Sequence, residues 1–327
     1  MRDLNLRFAT PEGEVHALRG VDLDVAVGET LGIVGESGSG KSQLLISIIS
    51  LLAKNSSASG SIRFHDQELL HAPERSLRPL RGRRIAMVFQ DPMTSLNPHL
   101  TVARQLTEGL RLHLKLSRRA ALDRARELLQ AVHLADAPRR LHQYPHELSG
   151  GMRQRVAIAM ALACEPDLLL ADEPTTALDV TVQAQILALL RELHDRFNTT
   201  VILVTHDLGV VAQIADRIAV MYAGRIVEHG PLAAVFKQPH HPYTEALRHA
   251  SPRLDADAQA GLAAIPGQPP DLATRITGCA FAPRCAYRMA RCTQEAPPTR
   301  EVSAGHSVAC FYEQPLSGRT PADTADH

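Results

Sequence analysis

The chain contains a run of glycines and serines that ends in a lysine and a serine, GESGSGKS, from Gly35 to Ser42. It lies between an apolar run, TLGIVG, and a run with helical spacing, SQLLISIISLL, which predicts a strand, a loop and a helix in succession. Glycines let backbone N–H groups converge on phosphate oxygens, and the helix N-terminus adds positive potential. Lys41 would reach the β- and γ-phosphates of a nucleotide, and the Ser42 hydroxyl would hold Mg²⁺. A glycine-rich turn without a ligand is the alternative, and Lys41, Ser42 and the strand–helix context argue against it.

We therefore predict a set of nucleotide-binding residues in and just after this loop. They are Gly35, Glu36, Ser37, Gly38, Ser39, Gly40, Lys41, Ser42 and Gln43.

Two carboxylates follow a second apolar run, DLLLADE, and they would be costly at the end of a buried strand unless a cation met them. Asp172 is placed to hold Mg²⁺ through water, and Glu173 to polarise the attacking water. A third apolar run, TVILVTHD, delivers His206 to the edge where ligands of open α/β sheets bind. Taken alone, His206 would more often be structural, but its place after a third such strand favours a role at the site.

These residues need a parallel sheet to position them. Apolar runs alternate with runs of helical period over about residues 1–235, which predicts an α/β fold with helices on both faces of the sheet. Amphipathic helices replace strands from about residue 99 to 165, with Ser117 as a predicted N-cap, so we expect a helical subdomain there. Proline-rich segments follow, which predicts a small second domain at 236–315 and a disordered tail at 316–327.

Composition narrows the function classes. The 327 residues include 35 Lys and Arg and 35 Asp and Glu, so a general electrostatic affinity for nucleic acid or anionic lipid is not indicated. No apolar run approaches the ~20 residues that cross a bilayer, and the N-terminus lacks the apolar core of a signal peptide, so we expect a cytoplasmic chain. Four of five cysteines are crowded near the C-terminus, and in a reducing compartment this favours metal binding over disulfides.

A second glycine turn, LSGGMRQR, opens another predicted helix at Leu148 to Arg155, although the chain has only one phosphate loop. With GESGSGKS, FQDP, ADEPTTALD and THD in this order, it resembles the nucleotide-binding subunits of ATP-binding cassette (ABC) transporters over about residues 1–235. The resemblance implies a P-loop NTPase cassette, a mostly parallel sheet with a helical subdomain. It also implies ATP and Mg²⁺ as cofactors and ATP hydrolysis as the reaction.

The resemblance implies roles for matching residues. Gln90 in VFQDP is similar to the Q-loop glutamine that senses the metal and the transmembrane partner. His206 is similar to the switch histidine that contacts the γ-phosphate. The implied catalytic residues are Glu173, His206 and Gln90. The implied ligands of Mg²⁺ are Ser42, Gln90 and Asp172.

The second glycine turn is implied to act across a subunit boundary. Three residues resemble the signature that caps the γ-phosphate held by the opposite subunit: Ser149, Gly150 and Gly151. Asp179 resembles the D-loop aspartate. Adenine stacking is assigned to Phe8, with His16 as a rival because the residues ATPEG intervene.

The C-terminal sequence indicates what the cassette drives. HHPYTEAL, IPGQPPDL, GCAFAPRC and GHSVAC resemble the C-terminal extension of oligopeptide/dipeptide importer ATPases, which extends the match to about residue 312. The implied partners are a second cassette, identical or paralogous, two transmembrane permease subunits and an extracytoplasmic binding protein, at the cytoplasmic face of the membrane.

Three alternatives stay open at this point. An importer of nickel or another small solute would belong to the same group. A soluble ABC ATPase that acts on ribosomes or DNA usually carries tandem cassettes, and this chain has one. A nucleic-acid-binding zinc module is weakened by the zero net charge and by an aromatic content of only 4%.

The cysteine spacing is C-x5-C-x6-C-x17-C, which is wider than the knuckles of structural zinc sites. Related peptide-importer ATPases carry a 4Fe–4S iron–sulfur cluster at matching cysteines. The resemblance therefore implies that four residues ligate such a cluster: Cys279, Cys285, Cys292 and Cys310. Zinc is the alternative, and unligated structural cysteines are the third possibility. We expect the group to staple a domain with too little apolar content to fold alone.

Overall fold

The fold is described from a computed structural model, for residues 1–91, 95–176, 178–250 and 265–316. The chain forms two compact units. Unit 1 comprises Met1–Asp24, Leu31–His71 and the described part of Thr205–His327, and unit 2 comprises Val25–Thr30 and Ala72–Val204. Within the described ranges, no helix combines the length and apolar character needed to span a membrane.

The described residues form short and medium-length strands, numbered here in chain order. They are β1 (Arg2–Thr10), β2 (Gly13–Val21), β3 (Thr30–Val34), β4 (Ser56–Ser61), β5 (Arg63–Phe64), β6 (Gln67–Glu68), β7 (Ile85–Val88), β8 (Leu168–Asp172), β9 (Thr200–Thr205), β10 (Arg217–Tyr222), β11 (Arg225–Pro231), β12 (Arg300–Ser303) and β13 (His306–Val308).

The α-helices follow the same order. They are α1 (Lys41–Ile48), α2 (Glu74–Leu77), α3 (Val102–His113), α4 (Arg118–Ala131), α5 (Ala137–Leu141), α6 (Gly150–Leu162), α7 (Val180–Phe197), α8 (Leu208–Ile214), α9 (Leu232–Lys237) and α10 (Pro242–Ala250). Short 3₁₀ turns cover Pro145–Glu147, Ala282–Arg284 and Ala290–Thr293.

Unit 1 contains two larger groups of strands and the short antiparallel pair β5-β6. An antiparallel sheet has the order β2-β1-β4, and its first strand buries Leu4 and Leu6 completely. In the second group, β3 pairs with β10 in parallel, and β11, β13 and β12 continue from β10 as antiparallel neighbours. The phosphate-loop strand β3 is buried along its whole length, as its unbroken apolar sequence requires.

Unit 2 contains three parallel strands in the order β9-β8-β7 and the helices α2 to α7. Both β8 and β9 are buried at every residue, which explains their apolar runs. Helices α3 to α6 occupy the region predicted as a helical subdomain. The predicted N-cap is confirmed, because the Ala120 N–H donates to Ser117 Oγ at 3.2 Å at the start of α4.

The C-terminal region adds to the sheet of unit 1. Strand β13 pairs with β11, with Glu228 opposite Val308. Glu228 is 1% exposed. Its carboxylate accepts from the His240 and His241 backbone N–H groups at 2.7 and 2.9 Å, and it lies 2.8 Å from His306 Nε2. These bonds join β11, the chain that enters α10, and β13.

Two features of unit 1 bear on the predicted domain limits near residues 235 and 316. The region after 235 belongs to the same compact unit as the phosphate loop, while the proposed boundary itself stays a prediction. Leu316 is fully buried, and its N–H donates to Pro239 O at 2.9 Å, so ordered chain includes this residue. The rest of the predicted tail, 317–327, lies outside the described residues.

Candidate nucleotide site

The phosphate loop has the predicted order of strand, loop and helix, since β3 ends at Val34 and α1 begins at Lys41. Two of its glycines are required by geometry. Gly40 has φ +101°, and a Cβ there would lie 2.6 Å from Ala17 O. A Cβ on Gly35 would lie 2.1 Å from Met221 O. No side chain fits at either position, because real Cβ atoms do not approach a carbonyl this closely.

Lys41 is buried under its own loop. The residue is only 5% exposed. Its Nζ donates to Gly35 O at 2.7 Å and to Glu36 O at 2.9 Å. Both acceptors belong to the loop, so the ammonium group is held where phosphate oxygens would arrive. The structure therefore brings together the loop backbone and the cation that the sequence assigned to phosphate binding.

The structure distinguishes Phe8 from His16. In the β1–β2 register His16 lies opposite Arg7, the neighbour of Phe8 in β1. Because successive residues of a strand point to opposite faces, His16 and Phe8 lie on opposite faces of the sheet. Leu18 approaches Gly40, since its Cδ2 lies 3.2 Å from the position a Cβ on that glycine would take. Leu18 is opposite Leu6, which shares a face of β1 with Phe8. Phe8 therefore shares the face of the sheet that approaches the phosphate loop, and its role in adenine stacking stays a prediction.

In unit 2, hydrogen bonds hold the carboxylate of Glu173, the residue predicted to polarise the attacking water. Glu173 Oε2 accepts from Gln90 Nε2 at 3.1 Å and from Thr176 Oγ1 at 2.7 Å. Its backbone N–H donates to Val204 O at 2.8 Å, and its φ of +45° is unusual for a residue with a side chain. Asp172, the preceding residue, is 5% exposed at the end of β8. The structure thus brings Gln90 and Glu173 together, and the roles assigned to them stay predictions.

Thr176 is a residue that the sequence analysis missed. It lies in an irregular loop, where no hydrophobic period marks it. The sequence does contain a feature that could have predicted this contact: in ADEPTT, a hydroxyl follows the Glu173 carboxylate by three residues. A turn of that length can bring the two side chains together.

The second glycine turn lies at paired helix N-termini of unit 2. Ser149 caps α6 by accepting from the Met152 N–H at 3.4 Å, and Asp179 caps α7 by accepting from the Val182 N–H at 2.9 Å. A Cβ on Gly151 would lie 2.8 Å from Val182 Cγ1, so the two helix starts are in close contact. Ser149, Gly150 and Asp179 are exposed, and the N-terminus of α6 is therefore open to an anion brought by another molecule.

His206 directly follows β9 and is exposed. Helix α8 begins two residues later, where Asp207 accepts from the Gly209 N–H at 2.7 Å. The switch role of His206 stays a prediction. So does the magnesium set, which combines Ser42 of unit 1 with Gln90 and Asp172 of unit 2.

Glu36 of the phosphate loop has partners that no linear motif predicted. Its carboxylate forms an ion pair with Arg284, and its backbone N–H donates to the Tyr243 hydroxyl at 2.7 Å. These partners are 248 and 207 positions away in the sequence, which is why sequence patterns gave no sign of them.

The four C-terminal cysteines line one small, largely enclosed cavity together with His241, Phe281 and other apolar residues. All four are free thiols, and burial raises the pKa of Cys285 to about 12 and that of Cys310 to about 11. In the parts of the chain that the structure describes, no three His, Cys, Asp or Glu side chains are arranged around a single metal ion.

The donor set suits a thiophilic group. One zinc would need each sulfur at ~2.3 Å from the same ion, whereas each cysteine of an iron–sulfur cluster binds a different iron, which allows the sulfurs to lie farther apart. Because metals bind thiolates, the group would also have to offset the raised thiol pKa values. The assignment of the cysteines remains a prediction.

Two families match the sequence. Residues 18–176 match the family described as ABC transporter, and residues 227–292 match the C-terminal region of oligopeptide/dipeptide transporters.

Curated relatives match almost the whole chain. The oligopeptide transport ATP-binding protein OppD of Salmonella typhimurium is 53% identical over 311 residues, which are 95% of this chain and 92% of that protein. The dipeptide transport ATP-binding protein DppD of Bacillus subtilis is 50% identical over 315 residues, 96% of this chain and 94% of that protein.

A solved structure matches the cassette. It is a dimeric post-hydrolysis state of an ATP-binding cassette bound to ADP and phosphate, with a TM-score of 0.64 and 32% identity. The match covers 71% of this chain and 97% of that one.

Proposed function

The chain belongs to the oligopeptide/dipeptide transport ATP-binding proteins of the ABC transporter family, and from this premise we propose that it is the ATP-hydrolysing motor subunit of a peptide importer. The observation that carries the proposal is the 53% identity over 95% of the chain, which spans the cassette and the C-terminal extension alike. The predicted ABC cassette fold is confirmed by the same comparisons and by the solved cassette.

Unit 1 supplies the groups that bind the nucleotide. Backbone N–H groups of the loop bind the phosphates, and the Lys41 ammonium, which the Gly35 and Glu36 carbonyls hold in place, donates to phosphate oxygens. The Ser42 hydroxyl would bind Mg²⁺, and Phe8 would stack on adenine from the face of β1 that carries Leu6.

Unit 2 supplies the groups that activate water. Glu173 accepts hydrogen bonds from Gln90 and Thr176 on one oxygen, and the proposed role of this carboxylate is to orient the attacking water and take its proton. The water oxygen bonds to the γ-phosphorus, the bond to the β–γ bridging oxygen breaks, and ADP and phosphate leave. Asp172, with Ser42 and Gln90, would hold Mg²⁺, which would neutralise charge on the phosphates, and His206 would donate to the γ-phosphate as charge develops.

The proposed assembly has two cassettes, two transmembrane permease subunits and an extracytoplasmic binding protein, with this chain peripheral at the cytoplasmic face of the membrane. Support for the pair comes from the exposed N-terminus of α6, where Ser149 and Gly150 are open to a nucleotide held by another subunit. The solved relative with TM-score 0.64 is itself dimeric.

We extend the proposal to the cysteine cavity. Four thiols that line one small cavity support a ligand set of Cys279, Cys285, Cys292 and Cys310 for a 4Fe–4S cluster, with zinc as the alternative. Such a cluster, when bound, supplies four iron–thiolate bonds that cross-link the chain. Bound to such a cluster, the four cysteines would hold in place the two 3₁₀ turns of the region, at Ala282–Arg284 and Ala290–Thr293.

Reconstitution tests the function. The chain is co-expressed with its second cassette and the two permease subunits, placed in proteoliposomes with the binding protein, and assayed for ATP hydrolysis and for uptake of labelled peptides or nickel. We expect peptide to stimulate hydrolysis and to accumulate. Glu173→Gln should keep ATP binding and remove most turnover, whereas Lys41→Ala should weaken binding.

The controls separate the alternatives. Glu108→Gln changes an exposed glutamate on α3 and should leave turnover unchanged. Uptake of nickel without peptide would replace the peptide assignment, and ATPase activity that never depends on permease subunits would favour a soluble ABC ATPase.

A further inference from the structure

Arg284, in the cysteine-rich region, forms a two-point ion pair with the phosphate loop. Its Nη1 lies 2.7 Å from Glu36 Oε2, and its Nη2 lies 2.9 Å from Glu36 Oε1. The Arg284 side chain is 4% exposed and that of Glu36 is 25% exposed, so water screens the pair only weakly. A planar guanidinium suits this contact, because its parallel N–H groups match both carboxylate oxygens.

The rest of unit 1 holds the Arg284 guanidinium in place. Nε donates to Pro266 O at 2.8 Å, Nη2 to Ile265 O at 3.2 Å and Nη1 to the Tyr222 hydroxyl at 3.2 Å. The group also lies 5.8 Å from the centre of the Phe281 ring. Every guanidinium nitrogen therefore has an acceptor, and Glu36 meets a donor that cannot swing away without breaking several bonds.

A second contact fixes the backbone of the same loop residue. The Glu36 N–H donates to the hydroxyl of Tyr243, which is fully buried. Burial raises the pKa of Tyr243, so its hydroxyl stays neutral while the hydroxyl oxygen accepts this bond. The Tyr243 ring packs against Tyr222 and Phe281, with ring centres 4.5 and 5.4 Å away.

The Glu36 contacts continue to the phosphate-binding lysine. Lys41 Nζ donates to the backbone oxygen of Glu36 at 2.9 Å, so a shift of Glu36 displaces an acceptor of the ammonium group. The Glu36 carboxylate is also a negative charge next to a loop that must receive phosphate. Arg284 offsets that charge as well as fixing its position.

We propose that Arg284 is a positioning residue for ATP binding, which holds and neutralises Glu36 so that the phosphate loop is ordered and accepts the triphosphate. The proposal rests on the assignment of this loop to ATP. It makes the cysteine-rich region part of the nucleotide site, through the residue that immediately precedes Cys285 in the chain.

Equilibrium ATP binding to the intact chain tests the proposal, together with KM and kcat in the assembled transporter. Arg284→Gln should weaken ATP binding by ~10-fold, within the range typical of coupling between sites. It should raise KM with little change in kcat, because the loop binds the phosphates in the ground state and the transition state alike. Arg288→Gln is the matched control, since Arg288 is exposed four residues away, and it should bind ATP as the parent does.

A second change gives a readout that a purely structural role would not move. Adding Glu36→Gln to Arg284→Gln removes the carboxylate that has lost its partner, so the double variant should bind ATP more tightly than Arg284→Gln alone. Arg284→Lys keeps the charge but not the two-point contact, and its affinity should lie between those of the parent and Arg284→Gln.

The outcomes are separable. The proposal is overturned if Arg284→Gln binds ATP like Arg288→Gln, or if the double variant binds no better than Arg284→Gln, as collapse of the C-terminal region would produce. Lys41→Ala identifies the other failure. If that variant kept full ATP affinity, the loop itself would not be the ATP site.

Discussion

At the scale of single residues, Glu173 combines a strained backbone with a carboxylate that two side chains hold in place. Its φ of +45° costs about 1 kcal/mol or more relative to ordinary backbone, and such strain persists only where neighbouring bonds fix it. The backbone bond to Val204 and the side-chain bonds from Gln90 and Thr176 supply that restraint. The carboxylate is therefore oriented before a water or nucleotide arrives.

Thr176 provides a test of this orientation. Thr176→Val keeps the shape of the side chain and removes the hydroxyl that donates to Glu173 Oε2 at 2.7 Å. Loss of one hydrogen bond to a charged group should lower kcat by ~10-fold, with KM for ATP unchanged, because Thr176 orients the carboxylate rather than the nucleotide. Steady-state ATPase assays on the assembled transporter measure both constants. A higher KM at unchanged kcat would assign Thr176 to nucleotide binding instead.

The sequence predicted some of these residues and missed others for a physical reason. Lys41 and Ser42 act within eight residues of Gly35, so a linear spacing is enough to find them. Arg284 and Tyr243 reach the same loop from more than 200 positions away, and only the tertiary fold brings them there. A pattern search detects local geometry, and these contacts are not local.

At the scale of elements, some strands have a local sequence pattern that predicts them, and others depend on distant pairing partners. The buried parallel strands β3 and β8 were predicted because an interior strand is apolar throughout. Strand β4, with the sequence SSASGS, has no such pattern. Strands β12 and β13 are four and three residues long, too short to show an alternation. Their existence depends on the neighbouring strands with which they pair.

Glu228 joins these late elements, and its removal tests how much it contributes. The residue is 1% exposed, and its carboxylate accepts from two backbone N–H groups and lies 2.8 Å from His306 Nε2. Glu228→Ala leaves those buried partners unsatisfied, so the free energy of unfolding should fall by about 3 kcal/mol. Denaturant unfolding of the intact chain measures the change, with the exposed Glu313→Ala as control. A loss no greater than that of the control would show that water replaces the carboxylate at no cost.

At the scale of the whole molecule, the proposed cassette pair predicts a separation of binding from turnover. Ser149→Arg places a bulky cation at the exposed N-terminus of α6, where the opposite subunit's ATP is proposed to dock. ATP binding to this chain alone should be unchanged, and turnover at the partner's phosphate loop should be abolished. Nucleotide titration of the isolated chain and ATPase assays of the assembled pair measure the two quantities. Loss of ATP binding in the isolated chain would instead show that the glycine turn serves its own site.

The proposed cluster in the cysteine cavity would connect the C-terminal region to the nucleotide site, and its removal tests that connection. Protein purified without oxygen should be brown, with about four iron and four sulfide per chain if a 4Fe–4S cluster is bound. Cys285→Ser should bleach the protein and lower its iron content. It should also weaken ATP binding, because Cys285 follows Arg284, whose guanidinium holds Glu36.

The matched control is Cys164→Ser, which changes a buried cysteine of unit 2 that does not line the cavity and should keep both the colour and the ATP affinity. Iron analysis, the visible absorption spectrum and ATP titration on the same preparations measure the three effects separately. A colourless anaerobic preparation with one zinc would replace the cluster assignment. A bleached Cys285→Ser protein with parental ATP affinity would show that Arg284 keeps its position without the cluster, because the bonds to Pro266 and Ile265 are sufficient to hold it.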